Sequence, residues 1–141
     1  MSKDWVKDIS DMQFKYGVKM WMHKNQHNKE NLREYLAFRV RFLKEELMET
    51  EAALTNNDAE EIVDGLIDLC VVAIGTLDAF GVDPYKAWDE VLKANLAKEV
   101  GVKESRPNPL GLPDLIKPAD WEGPDHSGNH GKLNNIWFNI R

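Results

Sequence analysis

An all-α fold is predicted by three observations. Apolar residues recur three or four apart over most of the chain, alternating strand-like runs are nearly absent, and cap and stop residues sit where the periodicity breaks. The first segment, about Lys3 to Met22, spaces Trp5, Ile9, Met12 and Tyr16 as one helical stripe interrupted by Gly17. After the polar "HKNQHNKEN", a long helix from about Lys29 to Leu54 carries Leu32, Leu36, Val40, Leu43, Leu47 and Leu54 on one stripe. "TNND" breaks the chain, a third helix runs from about Ala59 to Phe80, and Gly81 stops it. Asp83 and Pro84 read as N-cap and first-turn proline of a fourth helix ending near Val100. Together these predict a four- to five-helix bundle. From Lys103 on, prolines, glycines and asparagines predict an irregular tail. Its Leu110, Leu115, Ile116, Trp121, Trp137 and Phe138 are too apolar to leave in water and are expected to pack on the helices or a neighbouring subunit.

A length of 141 residues suits one domain with a real core, here a helical part of about 3–100 and a tail of about 101–141. The net charge of −6 argues against a nucleic-acid contact surface. No run is long and apolar enough to span a membrane, and "MSKDWVKDIS" lacks a signal-peptide plan, so a cytoplasmic protein is expected. The single cysteine, Cys70, lies in an apolar run and is expected to be a small buried hydrophobe.

The carboxylates are the unusual feature. At about 100° per residue, Glu61, Asp64, Asp68 and Gly75 share one narrow face of the third helix, while apolar residues cover nearly everything else. Such a helix is expected to be central, with its acids turned toward other helices unless they form its one wet edge. On the preceding helix Glu46 and Glu49 share a face with Tyr35, Phe38 and Phe42, with Glu45 at its margin. Two antiparallel neighbours would bring these faces together. Several carboxylates in one site raise each other's pKa unless a cation joins them, and oxygen-only donors suit Mg²⁺ or Mn²⁺ and phosphate chemistry. Glu45, left out of coordination, could then activate a water.

Other readings fit the same residues. Asp58-Ala-Glu-Glu61 matches a capping box, and Glu45, Glu46, Glu49 and Glu51 could be the solvated face of a long helix. Pairing of two acidic clusters on consecutive helices, the second with little other polar surface, favours the metal reading. His23/His27 and His126/His130 lie in polar stretches and read as surface residues. The missing Glu-x-x-His and Gly-x-x-x-x-Gly-Lys patterns disfavour a di-iron bundle and a phosphate-loop ATPase.

The order "EELMETEAAL", "EEIVDGLIDLCVVAIGTLDAFGVDPYKAW", "VLKANLAKEVG" resembles the MazG-like, all-α nucleoside triphosphate pyrophosphohydrolases, a superfamily that includes dimeric dUTPases and phosphoribosyl-ATP pyrophosphohydrolases. The resemblance covers about Leu36 to Val100, and "LIKPADWEGPD" resembles the tail of small phage and bacterial members. It implies Mg²⁺-dependent conversion of a nucleoside triphosphate to the monophosphate and diphosphate, and assembly as a dimer or a dimer of dimers. The superfamily's Glu-x-x-Glu then Glu-x-x-Asp falls on Glu46, Glu49, Glu61 and Asp64; a second register, set by the distance to "GVD", puts Asp68 in the aspartate position.

By the same resemblance Glu45 is the base, and Asn95 and Lys98 contact phosphates. A polar helix end, with Lys98 complementing the helix dipole, is the alternative for that pair. Phe38 and Phe42 could stack on a base or simply pack, and Arg39 and Arg106 are further candidates for phosphate or base contact. Small phage-type members suggest dGTP or GTP, with dUTP next and phosphoribosyl-ATP retaining the same chemistry. A non-catalytic helical interaction protein is the contrasting expectation.

Overall fold

The computed structural model describes residues 3–107, 109–111 and 113–137. The order is α1 (Trp5–Lys15), α2 (Val18–Asn25), α3 (Lys29–Thr55), α4 (Ala59–Ala79), α5 (Pro84–Leu96), β1 (Glu99–Gly101), β2 (Asp114–Ile116) and a 3₁₀ turn, Gly131–Ile136. The fold is all-α, as the periodicity predicts. No single helix among the described residues is long and apolar enough to cross a membrane.

The chain divides into two compact units. One takes the residues up to Pro84 together with those from His130 on, and the other runs Tyr85–Asn129. In the first unit α1, α3 and α4 start on polar caps, whereas α2 starts on Gly17 without one. Asp4, Asn28 and Asp58 accept from the backbone N–H groups of Lys7, Asn31 and Glu61. Such caps satisfy donors that have no partner within the helix. Gly17, at φ 82°, splits the predicted first helix into α1 and α2. Asn57 takes the left-handed conformation in the α3–α4 turn, which asparagine tolerates.

Helices α3 and α4 form the main antiparallel pair, with α1 against α4 and α2 against α3. Met22, Leu32, Ala79, Phe80 and Ile136 make the core of this unit, flanked by Trp21, Tyr35, Leu36 and Leu133. Ile136 comes from the tail, and the Lys132 N–H donates to the Phe80 carbonyl at 2.7 Å, so this stretch of tail does pack on the helices.

Four expectations need correction. The residues of α4 that pack inward are small, Gly65, Val72, Gly75 and Ala79, whereas Val63, Leu66 and Ile67 stand exposed. Helix α4 is thus covered on one side only within the protomer, and Cys70, on the uncovered side, is exposed. Helix α5 ends at Leu96, short of Val100, because Glu99–Gly101 pairs antiparallel with Asp114–Ile116. In the tail, Leu110, Leu115 and Trp137 are exposed; Phe138 lies outside the described residues.

In the second unit the tail folds onto α5 through Trp121, whose indole N–H donates to the Ala94 carbonyl at 2.7 Å. Ala94 is correspondingly the buried residue of that helix.

Candidate functional site

Close approach of α3 and α4 decides where the carboxylates meet. Gly65 is buried against Thr50: a β-carbon there would lie 2.3 Å from the Thr50 hydroxyl oxygen. That hydroxyl is held by donation to the Glu46 carbonyl at 2.8 Å. The absence of a side chain at Gly65 therefore lets the backbone between Asp64 and Asp68 sit against the turn carrying Glu46 and Glu49.

The electrostatics register this meeting. Burial pushes the Glu46 carboxyl above the usual carboxylate range, and Glu49, Asp68, Asp64 and Glu45 add their repulsion. Asp68 is raised as well, by burial first, then by the charge of Asp64 and a hydrogen bond with it. Both groups feel negative neighbours, and no cation contributes to either. Glu46 and Asp68 are partly buried, whereas Glu45, Glu49 and Asp64 are exposed. The length of a glutamate side chain would let the partly buried Glu46 and the exposed Glu49 turn toward a shared ion, although among the described residues no three such groups already converge tightly enough to hold one.

The donor chemistry fits a hard divalent cation. All available ligands are carboxylate oxygens, and the raised proton affinity of Glu46 and Asp68 marks negative charge that a cation would relieve. Asp64 and Asp68 lie on the same face of α4 and both act on Glu46, so the two registers left open by the sequence fall in one place. Glu61 is set apart. It is exposed, its N–H is taken by the Asp58 side chain, and it is not among the charges acting on Glu46.

The remaining residues are placed as follows. Phe38 and Phe42 meet edge to face with centroids 6.3 Å apart, and the Arg39 guanidinium lies 5.7 Å from the Phe42 centroid. Arg39 also reaches α4, its Nε donating to Thr76 Oγ1 and its Nη2 to the Val72 carbonyl, each at 3.0 Å. In the second unit Arg106 pairs with Asp114, holding that carboxyl below the usual range. Lys98 lies beyond the end of α5 rather than on its last turn, with its ammonium 5.3 Å from the Trp121 centroid; Lys117 is 4.8 Å from the same ring.

Two features escape a reading of helical periodicity. The Arg39 contacts to α4 are joined there by Gln13, buried on α1, which donates to the Gly75 carbonyl at 2.9 Å. A cavity of about 430 Å³ in the second unit is lined by Glu90, Lys93, Trp121, Glu122 and Asp125 among others. Both join residues far apart in sequence. The only sequence signals were a polar Gln13 among apolar neighbours and a glycine in mid-helix.

No curated protein and no solved structure matches the chain. The family model described as phosphoribosyl-ATP pyrophosphohydrolase does match, over residues 19–95. That stretch contains Glu45, Glu46, Glu49, Glu61, Asp64, Asp68 and Asn95, and stops before Lys98 and Arg106. With more than half of its 141 residues matched and the two acidic helices inside the match, the chain belongs to the phosphoribosyl-ATP pyrophosphohydrolase family, a MazG-like all-α group.

Proposed function

We propose that the chain is a Mg²⁺- or Mn²⁺-dependent nucleoside triphosphate pyrophosphohydrolase. It converts a (d)NTP and water to the (d)NMP and diphosphate, with a purine nucleotide of the dGTP or GTP type as substrate. The observation that carries this reading is the shared electrostatic field of Glu46, Glu49, Asp64 and Asp68 across α3 and α4, in a chain of a pyrophosphohydrolase family.

Glu46, Glu49, Glu61, Asp64 and Asp68 would hold the ion, which when bound neutralises charge developing on phosphate oxygens. Glu45, exposed and next to Glu46, accepts a proton from the attacking water. Asn95 and Lys98 donate to phosphate oxygens, an assignment supported by the family resemblance and by their hydrogen-bonding chemistry. Phe38 offers a half-exposed ring to a base, whereas Phe42 already carries the Arg39 guanidinium.

The uncovered apolar side of α4, with Val63, Leu66 and Ile67 around Cys70, supports assembly as a homodimer or a dimer of dimers. Free nucleotides place the proposed activity in the cytoplasm. Phosphoribosyl-ATP is the second substrate reading, favoured by the description of the matched family.

The test is a panel of the eight common NTPs and dNTPs plus phosphoribosyl-ATP, scored for monophosphate and diphosphate with Mg²⁺ and with EDTA. Metal-dependent formation of both products from a purine triphosphate is expected. Turnover of phosphoribosyl-ATP alone would move the chain to the second reading. Absence of turnover together with absence of metal-dependent stabilisation would overturn the enzyme reading in favour of a helical interaction protein.

A further inference from the structure

We infer that Arg39, Thr76, Gly75 and Gln13 form a positioning clamp that fixes the roll of α4 against α3, and that Arg39 acts through this clamp rather than as a ligand of the nucleotide. The inference rests on the carboxylate site proposed above.

The clamp ties three helices together. From α3, Arg39 Nε donates to Thr76 Oγ1 and Nη2 to the Val72 carbonyl, both at 3.0 Å. Thr76 Oγ1 donates in turn to the same carbonyl at 2.7 Å. From α1, the Gln13 amide, 5% exposed, donates to the Gly75 carbonyl at 2.9 Å. Gly75 makes room for both visitors: a β-carbon there would lie 2.9 Å from Arg39 Nη2 and 3.5 Å from Gln13 Nε2. The Phe42 ring lies beside the same guanidinium. Arg39 thus spends its planar fork on a hydroxyl and a carbonyl of α4, and among the described residues it pairs with no carboxylate.

Val72 is one turn beyond Asp68, and Arg39 two turns before Glu46. Turning α4 by about 10° would move a group at the rim of a helix ~10–12 Å across by roughly 1 Å. Metal–ligand distances hold to within about 0.2 Å of their usual values, and the short side chain of Asp68 has little reach to make up such a shift. Fixing the roll of α4 next to Asp68 therefore bears directly on a shared ion. Partners bonded directly to metal ligands typically carry about 10–100-fold in metal affinity, and the clamp acts one step further out, through the backbone of α4.

The experiment is Mn²⁺ titration of the full-length, nucleotide-free protein, followed by electron paramagnetic resonance, for wild type, Thr76→Val, Gly75→Ala and Arg39→Lys. Circular dichroism and thermal melting run alongside. Thr76→Val removes a hydroxyl without changing shape and is expected to fold even if Gly75→Ala does not. The clamp predicts Mn²⁺ affinity roughly tenfold or more weaker in Thr76→Val and Arg39→Lys, with helix content unchanged. Unaltered Mn²⁺ affinity in Thr76→Val and Arg39→Lys would overturn the clamp, and a raised nucleotide KM for Arg39→Lys in a turnover assay would then return Arg39 to the substrate. A wild-type protein that binds no Mn²⁺ would instead remove the carboxylate site, and the clamp's purpose with it.

Discussion

Replacing Gly65 by alanine tests the geometry on which the carboxylate site depends. The new β-carbon would sit 2.3 Å from Thr50 Oγ1, where ordinary contact begins at 3.4 Å, so the hydroxyl must retreat by 1.1 Å (3.4 − 2.3) or the helices must part by a comparable amount. Retreat by rotation about χ1 breaks the 2.8 Å bond to the Glu46 carbonyl. Overpacking of this kind costs about 1–3 kcal/mol, while alanine improves helix propensity over glycine by about 1 kcal/mol. The net loss is thus roughly 0–2 kcal/mol, or at most about 8 °C in Tm for a chain of this length. Metal binding should suffer far more than stability, because ångström-scale parting of α3 and α4 exceeds what coordination tolerates. The assay is the rise in Tm produced by Mg²⁺, measured for wild type, Gly65→Ala, Thr50→Ala and the double variant. Gly65→Ala should melt cooperatively and lose most of its Mg²⁺-dependent rise, and adding Thr50→Ala should restore it by vacating the space. Additive effects of the two changes, or a full Mg²⁺ response in Gly65→Ala, would refute the argument that α3–α4 contact at Gly65 sets the site.

Glu49→Gln should abolish Mg²⁺-dependent turnover while leaving circular dichroism unchanged; retained turnover removes Glu49 from the ligand set. The raised Glu46 and Asp68 carboxyls carry a pH signature. A carboxyl raised on folding stabilises the protein while protonated, and that contribution disappears as pH climbs through the folded-state pKa. In EDTA, therefore, Glu46→Gln should raise Tm at pH 7 relative to wild type and change it little near pH 4. With Mg²⁺ the order at pH 7 should reverse; a wild-type Tm indifferent to both pH and metal would contradict this. Lys98→Ala should raise the nucleotide KM several-fold with less effect on kcat, and an unchanged KM would return Lys98 to its contact with Trp121. Leu66→Lys, on the uncovered side of α4, should lower the mass measured by light scattering if that side joins two copies, and a wild-type monomer would end the assembly proposal.

How much of this was legible in the sequence depended on the range of the interaction. Caps are local, so Asp58 and the breaks at Gly17 and "TNND" could be read directly, and α4 begins where Asp58 predicts. The facing of the two acidic stripes was legible too, because a short turn between long helices leaves an antiparallel pair little choice. What periodicity could not resolve was which apolar side of α4 faces inward. Its large residues, Val63, Leu66 and Ile67, suggested the core by their hydrophobicity, yet the inward side is Gly65, Val72, Gly75 and Ala79. Small residues allow backbones to approach, and here the approach brings α4 within reach of Thr50, Arg39 and Gln13. The acidic stripe shares that side, which is why Glu46 and Asp68 are raised, and why the exposed thiol of Cys70 points the other way. Burial by close approach and burial by hydrophobicity thus select opposite sides of one helix. The first places the carboxylates against α3, and the second leaves an apolar surface that the protomer itself does not cover.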